Sequence, residues 1–483
     1  MDAIAGLKPE GIWRYFQEIS QIPRESGNEG RIREYLITTA KKLSLAYQTD
    51  AAGNVLVIKP GTAGSETVIL QAHMDMVCEK KPETAHDFNT DPIILVRDDG
   101  WIQAEGTTLG ADDGIGMAAM LALMEDPSLE HPNLEMLFTV EEETGLTGAS
   151  MLRQGFITGK TLINLDSEDD GIFYIGCAGG RNTDITLECT LTDPPAGYVP
   201  ASIAVTGLRG GHSGIDINKG RGNAIKLVNR FIKGTIKTVP FHLASIEGGS
   251  RHNVIPRDAR AMVYLDEQTM PVLKDAASRW TSIFARELEG IDEKVKITVL
   301  PDPSAPQRVI VPEDVARILD MISILPHGVL SMNESKDNLV ITSTNLAVCS
   351  MDGSVLKVKT NQRSIYTTSV EDASDMIQSI GRILGARVTP CEDYPAWRPD
   401  FNSRILSKAI PIFESLFGKP PLVKVIHAGL ECGVIGEKIP GMDMISIGPT
   451  VEHAHSPSER VNIETVGRMW EFITNLLANL SHA

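Results

Sequence analysis

The sequence predicts an α/β protein in which a domain on a mostly parallel sheet is interrupted by one large α+β insertion. Three observations lead there. Short apolar runs alternate with amphipathic helical patterns over the first 180 residues, the texture then changes to longer alternating strands, and the α/β texture returns near residue 392.

Taken in order, PEGIWRYFQEIS and NEGRIREYLITTAKKL carry apolar residues at three-to-four spacing, the period of a helix with one buried face. NVLVI, TVILQA, LEMLFTV and TLINL are short apolar runs that end in polar or acidic residues, as central strands buried on both faces do. DDGIGMAAMLALMED reads as a helix whose acidic start suits the positive end of its dipole. Strands alternating with helices imply a mostly parallel sheet. From CAGGRNTD onward, ITLECTLT, ASIAVTG, FHLASIEGG, ARAMVYLD and KVKITVLP alternate in polarity, with helices near 222–234 and 272–289. That order is β-α-β-β-α-β. EDVARILDMIS, NLVITSTNLAV, VLKVKT and EDASDMIQSIGRILGARV give a partial second round, read as two stacked copies of one ferredoxin-like unit. NSRILSKAIPIFESLF, PLVKVI, MDMISIG and a last helix, ETVGRMWEFITNLLANL, complete the α/β part. The expected boundaries are 1–181 and 392–483 for the interrupted domain and 182–391 for the insertion.

The chain has 483 residues and a formal net charge of −18, which argues against nucleic acid or an anionic membrane as partner. A hydrophobic content of 42% is too high for a disordered chain. No run approaches the roughly 20 apolar residues needed to span a bilayer. The start, MDAIAGLKPEGIWRYFQEIS, lacks the basic-then-apolar pattern of a signal peptide. Six scattered cysteines without a CxxC pair suit reduced thiols, so a cytoplasmic protein is expected.

Acidic and histidine residues recur at the carboxyl ends of the apolar runs, where open α/β sheets place their ligands. After TVIL, QAHMDMV sets His73 and Asp75 at i and i+2, on one side of an extended segment. A neutral imidazole is the commonest metal ligand, and a carboxylate fixes its tautomer. GADDGIG brings Asp112 and Asp113 before a helix, where an N-cap is the ordinary explanation. FTVEEETGLTGA has three consecutive glutamates, whose repulsion a cation or a proton-transfer task would relieve, and Gly145 and Gly148 hold the segment in a turn. Asp166 closes TLINLD, and IGPTVEHAHSPSE puts His453 and His455 after the last strand. Alone, each could be a hydrogen-bonded strand-end histidine, a helix cap, a solvated turn or a polar loop. Together they make a poor coincidence. Imidazole and carboxylate without thiolate suit Zn²⁺, with Mn²⁺ or Co²⁺ as alternatives. Five ligands are too many for one open zinc and suit two cations sharing a carboxylate. A spare glutamate beside them is what a general base needs.

In this order, H-M-D-M-V, G-A-D-D-G, E-E-E-T-G, L-D-S-E and H-S-P-S-E resemble the di-zinc exopeptidase family that includes carboxypeptidase G, tripeptidase T and bacterial dipeptidases. The resemblance covers the whole chain, insertion included. GADDGIGMA, CAGGRNTD, GGHSGIDINKGRGNA, SRHNVIPRDA, HAGLECG and IGPTVEHAHSP look most like the aminoacyl-histidine (Xaa-His) dipeptidase group of that family. The resemblance implies a zinc-exopeptidase fold with a lid, two Zn²⁺ per chain, and roles residue by residue. His73 and Asp166 would hold one metal and Glu143 and His455 the other. Asp112 would bridge, rather than Asp113, because the family's bridging aspartate opens this motif. Asp75 would orient His73, and Glu142 would be the general base. His455 is preferred to His453 because it directly precedes S-P-x-E. Two departures, no lysine after the paired aspartates and Glu141 where relatives often carry Asp, put no ligand in doubt. On the insertion, His212 in GGHSG would stabilise the oxyanion, and Asn253 in RHNVIP and Arg363 in NQRSIY would contact the substrate's carbonyl and carboxylate. Gly429 in HAGLE would offer backbone to that carboxylate, and Arg363 is equally readable as a surface cation.

The implied activity is hydrolysis of dipeptides, Xaa-His and carnosine-like substrates included. An amidohydrolase of N-acyl amino acids and a non-catalytic peptide-binding protein are the rival readings. The latter usually lose ligands or the base, and here every one of those residues is present. No G-x-S-x-G elbow supports nucleophilic catalysis. Shorter relatives complete the site with a partner's lid; a doubled lid could replace it, so homodimer and monomer both stay open.

Overall fold

The computed structural model describes residues 3–333 and 338–482. The chain forms two compact units, Met1–Cys177 with Trp397–Ala483, and Ala178–Ala396.

The first unit is built on an eight-stranded sheet: β1 (Ala46–Thr49), β2 (Val55–Lys59), β3 (Thr67–His73), β4 (Asn133–Thr139), β5 (Thr161–Asn164), β6 (Ile172–Cys177), β7 (Leu422–Ile426) and β8 (Asp443–Ser446). Their spatial order is β1-β2-β4-β3-β5-β8-β6-β7. The central strands β4, β3, β5 and β8 run parallel, whereas β1, β2 and β4 pair antiparallel on one side and β8 and β6 on the other. β3 and β4 are buried at every position after their first, which is why they read as unbroken apolar runs. Helices α1 (Glu10–Ser20), α2 (Ala111–Glu125), α3 (Glu142–Gly145), α4 (Arg404–Phe417), α5 (Glu431–Lys438) and α6 (Ile463–Ser481) accompany the sheet. One core joins Phe16 of α1, Met120 of α2, Phe138 of β4, Phe173 of β6, Phe413 of α4 and Phe472 of α6. Cys177 and Trp397 exchange two backbone hydrogen bonds of 3.0 Å. The chain therefore leaves and re-enters this unit at one point, which lets a long insertion spare the sheet.

The second unit carries a nine-stranded sheet in the order Lys296–Pro301, Val199–Thr206, Ala259–Leu265, His242–Gly248, Leu339–Asp352, Val355–Ser364, Gly179–Glu188 and Arg387–Tyr394, with Gly328–Asn333 also paired to Leu339–Asp352. Helices Ala224–Thr235, Met270–Glu287, Pro312–Ile324 and Thr367–Leu384 contribute Phe231, Leu273, Ile318 and Ile377 to a core shared with Leu243, Val263, Leu346 and Val358 of the strands. The two expected copies do not stack. Two halves join edge to edge, Gly248 pairing with Cys349, and Gly179–Glu188, expected to open the first copy, instead lies between Val355–Ser364 and Arg387–Tyr394 of the second.

Candidate metal centre

The parallel strands of the first unit end together. β3 stops at His73, in register with Thr139 at the end of β4, and β5 stops at Asn164, two residues before Asp166. The segments that follow leave from one edge, and they carry the acidic residues.

His73 is 1% exposed. Its Nε2 lies 2.9 Å from Asp112 Oδ1 and 3.3 Å from Asp166 Oδ1. The other Asp112 oxygen, Oδ2, is 3.1 Å from His455 Nε2, which in turn is 3.0 Å from Glu143 Oε2. Asp112 thus turns one oxygen to each histidine, with Asp166 on one side and Glu143 on the other. Donor atoms of His73, Asp112 and Glu143 all lie within 4.8 Å of one another. Glu143 Oε1 is buried and has no hydrogen-bond partner among the described residues. A buried orphan oxygen beside imidazole and carboxylate donors is a donor set that fits divalent cations. Among the described contacts, none brings the His453 ring to Asp112 or Glu143; its carbonyl accepts a hydrogen bond from Ser456.

Asp112 and Asp113 have separate tasks. Asp112 has extended backbone angles, φ −80° and ψ 110°, outside the helical part of α2. Asp113 Oδ1 accepts the Gly116 N–H at 3.1 Å, as an N-cap does. The helix-cap explanation therefore belongs to Asp113 and leaves Asp112 for the histidines.

Asp75 is fully buried, with Oδ1 3.3 Å from His73 Nδ1. Its carboxylate also accepts the Ser26 hydroxyl at 2.8 Å and the backbone N–H groups of Glu142 at 3.0 Å and Glu143 at 3.2 Å. One carboxylate ties the imidazole to the backbone that presents both glutamates. The turn closes tightly behind them: a Cβ on Gly148 would stand 2.6 Å from Val140 backbone atoms, so only glycine fits.

Electrostatics follow from this crowding. Burial would lower the His73 imidazole, but Asp166, Asp112 and Asp75 win and hold it well above its ordinary value. Burial opposes His455 too, yet the hydrogen bonds it donates to Asp112 and Glu143 raise it. Burial pushes Asp166 up to about 8. Burial and then the Glu143 charge hold Glu142 well above the usual carboxylate range.

Of the remaining candidates, Gly429 lies in the turn between β7 and α5 of the same unit. His212, Asn253 and Arg363 belong to the second unit, where they form one neighbourhood. His212 pairs with Val254 on a short two-stranded ribbon, and Ser213 N–H donates to Asn253 O at 2.8 Å. His212 Nδ1 accepts the N–H groups of Gly214 at 3.2 Å and Ile215 at 3.3 Å, which puts the neutral ring's proton on Nε2. Arg363 is not a surface cation. It is 5% exposed, and it donates to Asn361 Oδ1 at 2.9 Å and to the Tyr394 hydroxyl at 2.6 Å.

Three buried groups near this centre had no expected role: Arg24, Glu431 and Glu459. Glu459 stands inside H-S-P-S-E, a signal that could have flagged it. Glu431 stands inside HAGLECG, another such signal, whereas Arg24 is a single charge whose spacing does not distinguish it from a solvated one.

Strand-end imidazoles and carboxylates on an interrupted α/β sheet form a donor set for divalent cations. The chain belongs to peptidase family M20/M25/M40, whose model matches residues 69–479. It is 37% identical over 483 residues to the cytosol non-specific dipeptidase of Escherichia coli, covering 99% of each chain. The crystal structure of aminoacylhistidine dipeptidase from Vibrio alginolyticus matches 99% of this chain and 98% of its own, at 38% identity and a TM-score of 0.81. A tripeptidase structure from Staphylococcus aureus, 17% identical with a TM-score of 0.58 over 99% of this chain and 100% of its own, shares the fold. Among the described residues, no helix is long and apolar enough to cross a membrane.

Proposed function

We propose that this peptidase is a cytoplasmic dipeptidase of broad scope that accepts Xaa-His and carnosine-like substrates and works with two divalent cations. The observation that carries the reading is Asp112, one oxygen toward each of two histidines that have separate carboxylate neighbours. In this reading His73 and Asp166 would hold one cation, Glu143 and His455 the other, and Asp112 would serve both. Zn²⁺ is the proposed metal, and Co²⁺ or Mn²⁺ would share its ligands. When bound, the pair supplies Lewis acidity, which makes a water acidic near neutral pH and polarises the scissile carbonyl.

The chain's own residues do the rest. Glu142 takes a proton from the attacking water and returns it to the leaving amine nitrogen. Asp75 keeps the His73 ring turned and holds the backbone of Glu142 and Glu143. His212 is proposed to donate its Nε2 proton to the oxyanion, Asn253 to contact the substrate carbonyl, and Arg363 with Gly429 to receive the terminal carboxylate. The names of two similar relatives, a non-specific and an aminoacylhistidine dipeptidase, support the substrate scope.

The test is metal analysis of protein purified without chelator, followed by kinetics on Xaa-His, other dipeptides and N-acetyl amino acids. About two metals per chain and turnover of free dipeptides are expected. Exclusive N-acyl activity would replace this reading with an amidohydrolase. Glu142→Ala is expected to lose about 10²–10⁴ in kcat while keeping its metals.

A further inference from the structure

We infer that Glu459, assisted by Arg24, is a positioning residue that sets the segment presenting Asp112, so that the two histidines and the shared carboxylate are arranged before metal binds. The inference rests on the reading of Asp112 as a shared ligand.

Glu459 is 2% exposed and lies four residues after His455. Four consecutive backbone N–H groups converge on its carboxylate. Oε2 accepts from Leu109 at 2.8 Å and Gly110 at 2.9 Å, and Oε1 accepts from Ala111 at 2.7 Å and Asp112 at 3.4 Å. Such convergence needs a left-handed residue, and Gly110 supplies it at φ 68°. A Cβ there would also stand 2.8 Å from Met76 Sδ, so a larger residue would have to displace that side chain as well.

Arg24, 3% exposed, closes the arrangement from the other side. Its guanidinium donates to the carbonyls of Gly110, Asp75 and, at 3.0 Å, Met74. Arg24 and Glu459 therefore connect the segment after His73, the segment before Asp112 and the segment containing His455. They do so through backbone groups alone, leaving every donor atom of the centre available. The positive charge and the converging N–H groups also offset the cost of burying the carboxylate.

A purely structural capping role makes a different forecast, and the molecule contains the comparison. Glu135 is 4% exposed and accepts the N–H groups of Thr158 at 2.8 Å and Gly159 at 3.0 Å toward the other end of β4. None of its partners adjoins a candidate ligand. Glu459 accepts four backbone N–H groups where Glu135 accepts two and the Thr158 hydroxyl at 2.6 Å, and only the partners of Glu459 lead to Asp112. Glu459→Gln turns an NH₂ group toward donors, so at least one N–H loses its acceptor and the segment must rotate, taking the Asp112 oxygens with it.

The experiment compares full-length wild type, Glu459→Gln, Glu459→Asp and Glu135→Gln. Zn²⁺ affinity is read by competition with a chromophoric chelator, coordination by the Co²⁺ absorption spectrum, and folding by melting of the metal-free proteins. Glu459→Gln is expected to bind about 10–100-fold more weakly with an altered Co²⁺ spectrum. Glu135→Gln is expected to melt earlier, yet to bind like wild type. Wild-type affinity and spectrum in Glu459→Gln would overturn the inference. If that variant does not fold, Glu459→Asp gives the same reading, since the shorter side chain cannot reach all four N–H groups; unchanged binding there overturns it equally. A wild type that binds no metal would instead refute the reading of the centre itself.

Discussion

Asp75 holds four groups at once: the His73 ring, the Ser26 hydroxyl and the N–H groups of Glu142 and Glu143. Orienting an imidazole requires only the first of these. The other three make Asp75 the point at which the geometry of the imidazole and that of the two glutamates become one quantity. Asp75→Asn keeps the volume but offers one acceptor oxygen in place of two, so at least one glutamate N–H is left unpaired. The expected result is a loss of about 10–100-fold in kcat with a parallel loss of metal affinity. Kinetics at saturating metal separate the two, and wild-type values for both would remove Asp75 from the arrangement. Neighbouring positions show how fine this scale is. Asp112 and Asp113 are the same residue type one position apart, yet one faces imidazoles and the other caps a helix.

At the scale of elements, what matters is how strand ends and helix starts are tied down. Ser403 caps α4, accepting the Leu406 N–H at 3.1 Å while donating to Asp443 Oδ1 on β8 at 2.5 Å. Ser403→Ala is expected to cost about 1–2 kcal/mol in denaturant unfolding and leave turnover unchanged, because α4 carries no residue of the centre. Beneath the strand ends of the candidate centre lies a buried polar layer. Thr139 Oγ1 at the end of β4 donates to Glu431 Oε2 at 2.6 Å, Gln71 on β3 donates to the same oxygen, and Asn164 on β5 donates to Gln71 at 2.6 Å. Burial pushes the Glu431 carboxyl up to about 7 from an ordinary 4.5. Between those values the folded chain holds a proton that the unfolded chain has released. The contribution to stability is thus complete below the lower value and is lost as pH rises through the upper one. Between pH 5.5 and 8 the metal-free wild type is expected to lose about 2 kcal/mol relative to Glu431→Gln. A constant difference would show that Glu431 is ionised throughout.

For the whole molecule, cations that bind only the folded chain must stabilise it. A ligand at 100 times its dissociation constant adds about 2.7 kcal/mol. Chelation is therefore expected to lower the melting temperature and abolish turnover together, and added Zn²⁺ or Co²⁺ to restore both; turnover that survives complete chelation would remove metals from the mechanism. Much of this protein was legible in its sequence. The apolar runs, the change of texture at the insertion and the acidic and histidine segments at the strand ends stand in patterns local to a few positions, because side-chain direction in a strand or helix repeats every two or three to four residues; the choice of Asp112 over Asp113, of Glu143 among three glutamates and of His455 over His453 rests on the family resemblance. The edge-to-edge joining of the second unit's two halves was not legible, since an alternating strand reads alike whether its edge meets solvent or another strand. Nor was the aim of each Asp112 oxygen. That depends on Glu459, 350 positions along the chain from Leu109, and on Arg24, whose partners include Gly110. Local periodicity determines which residues stand at a strand end, but hydrogen bonds between distant backbone groups decide where their atoms point, and those form only once the tertiary structure has brought the segments together.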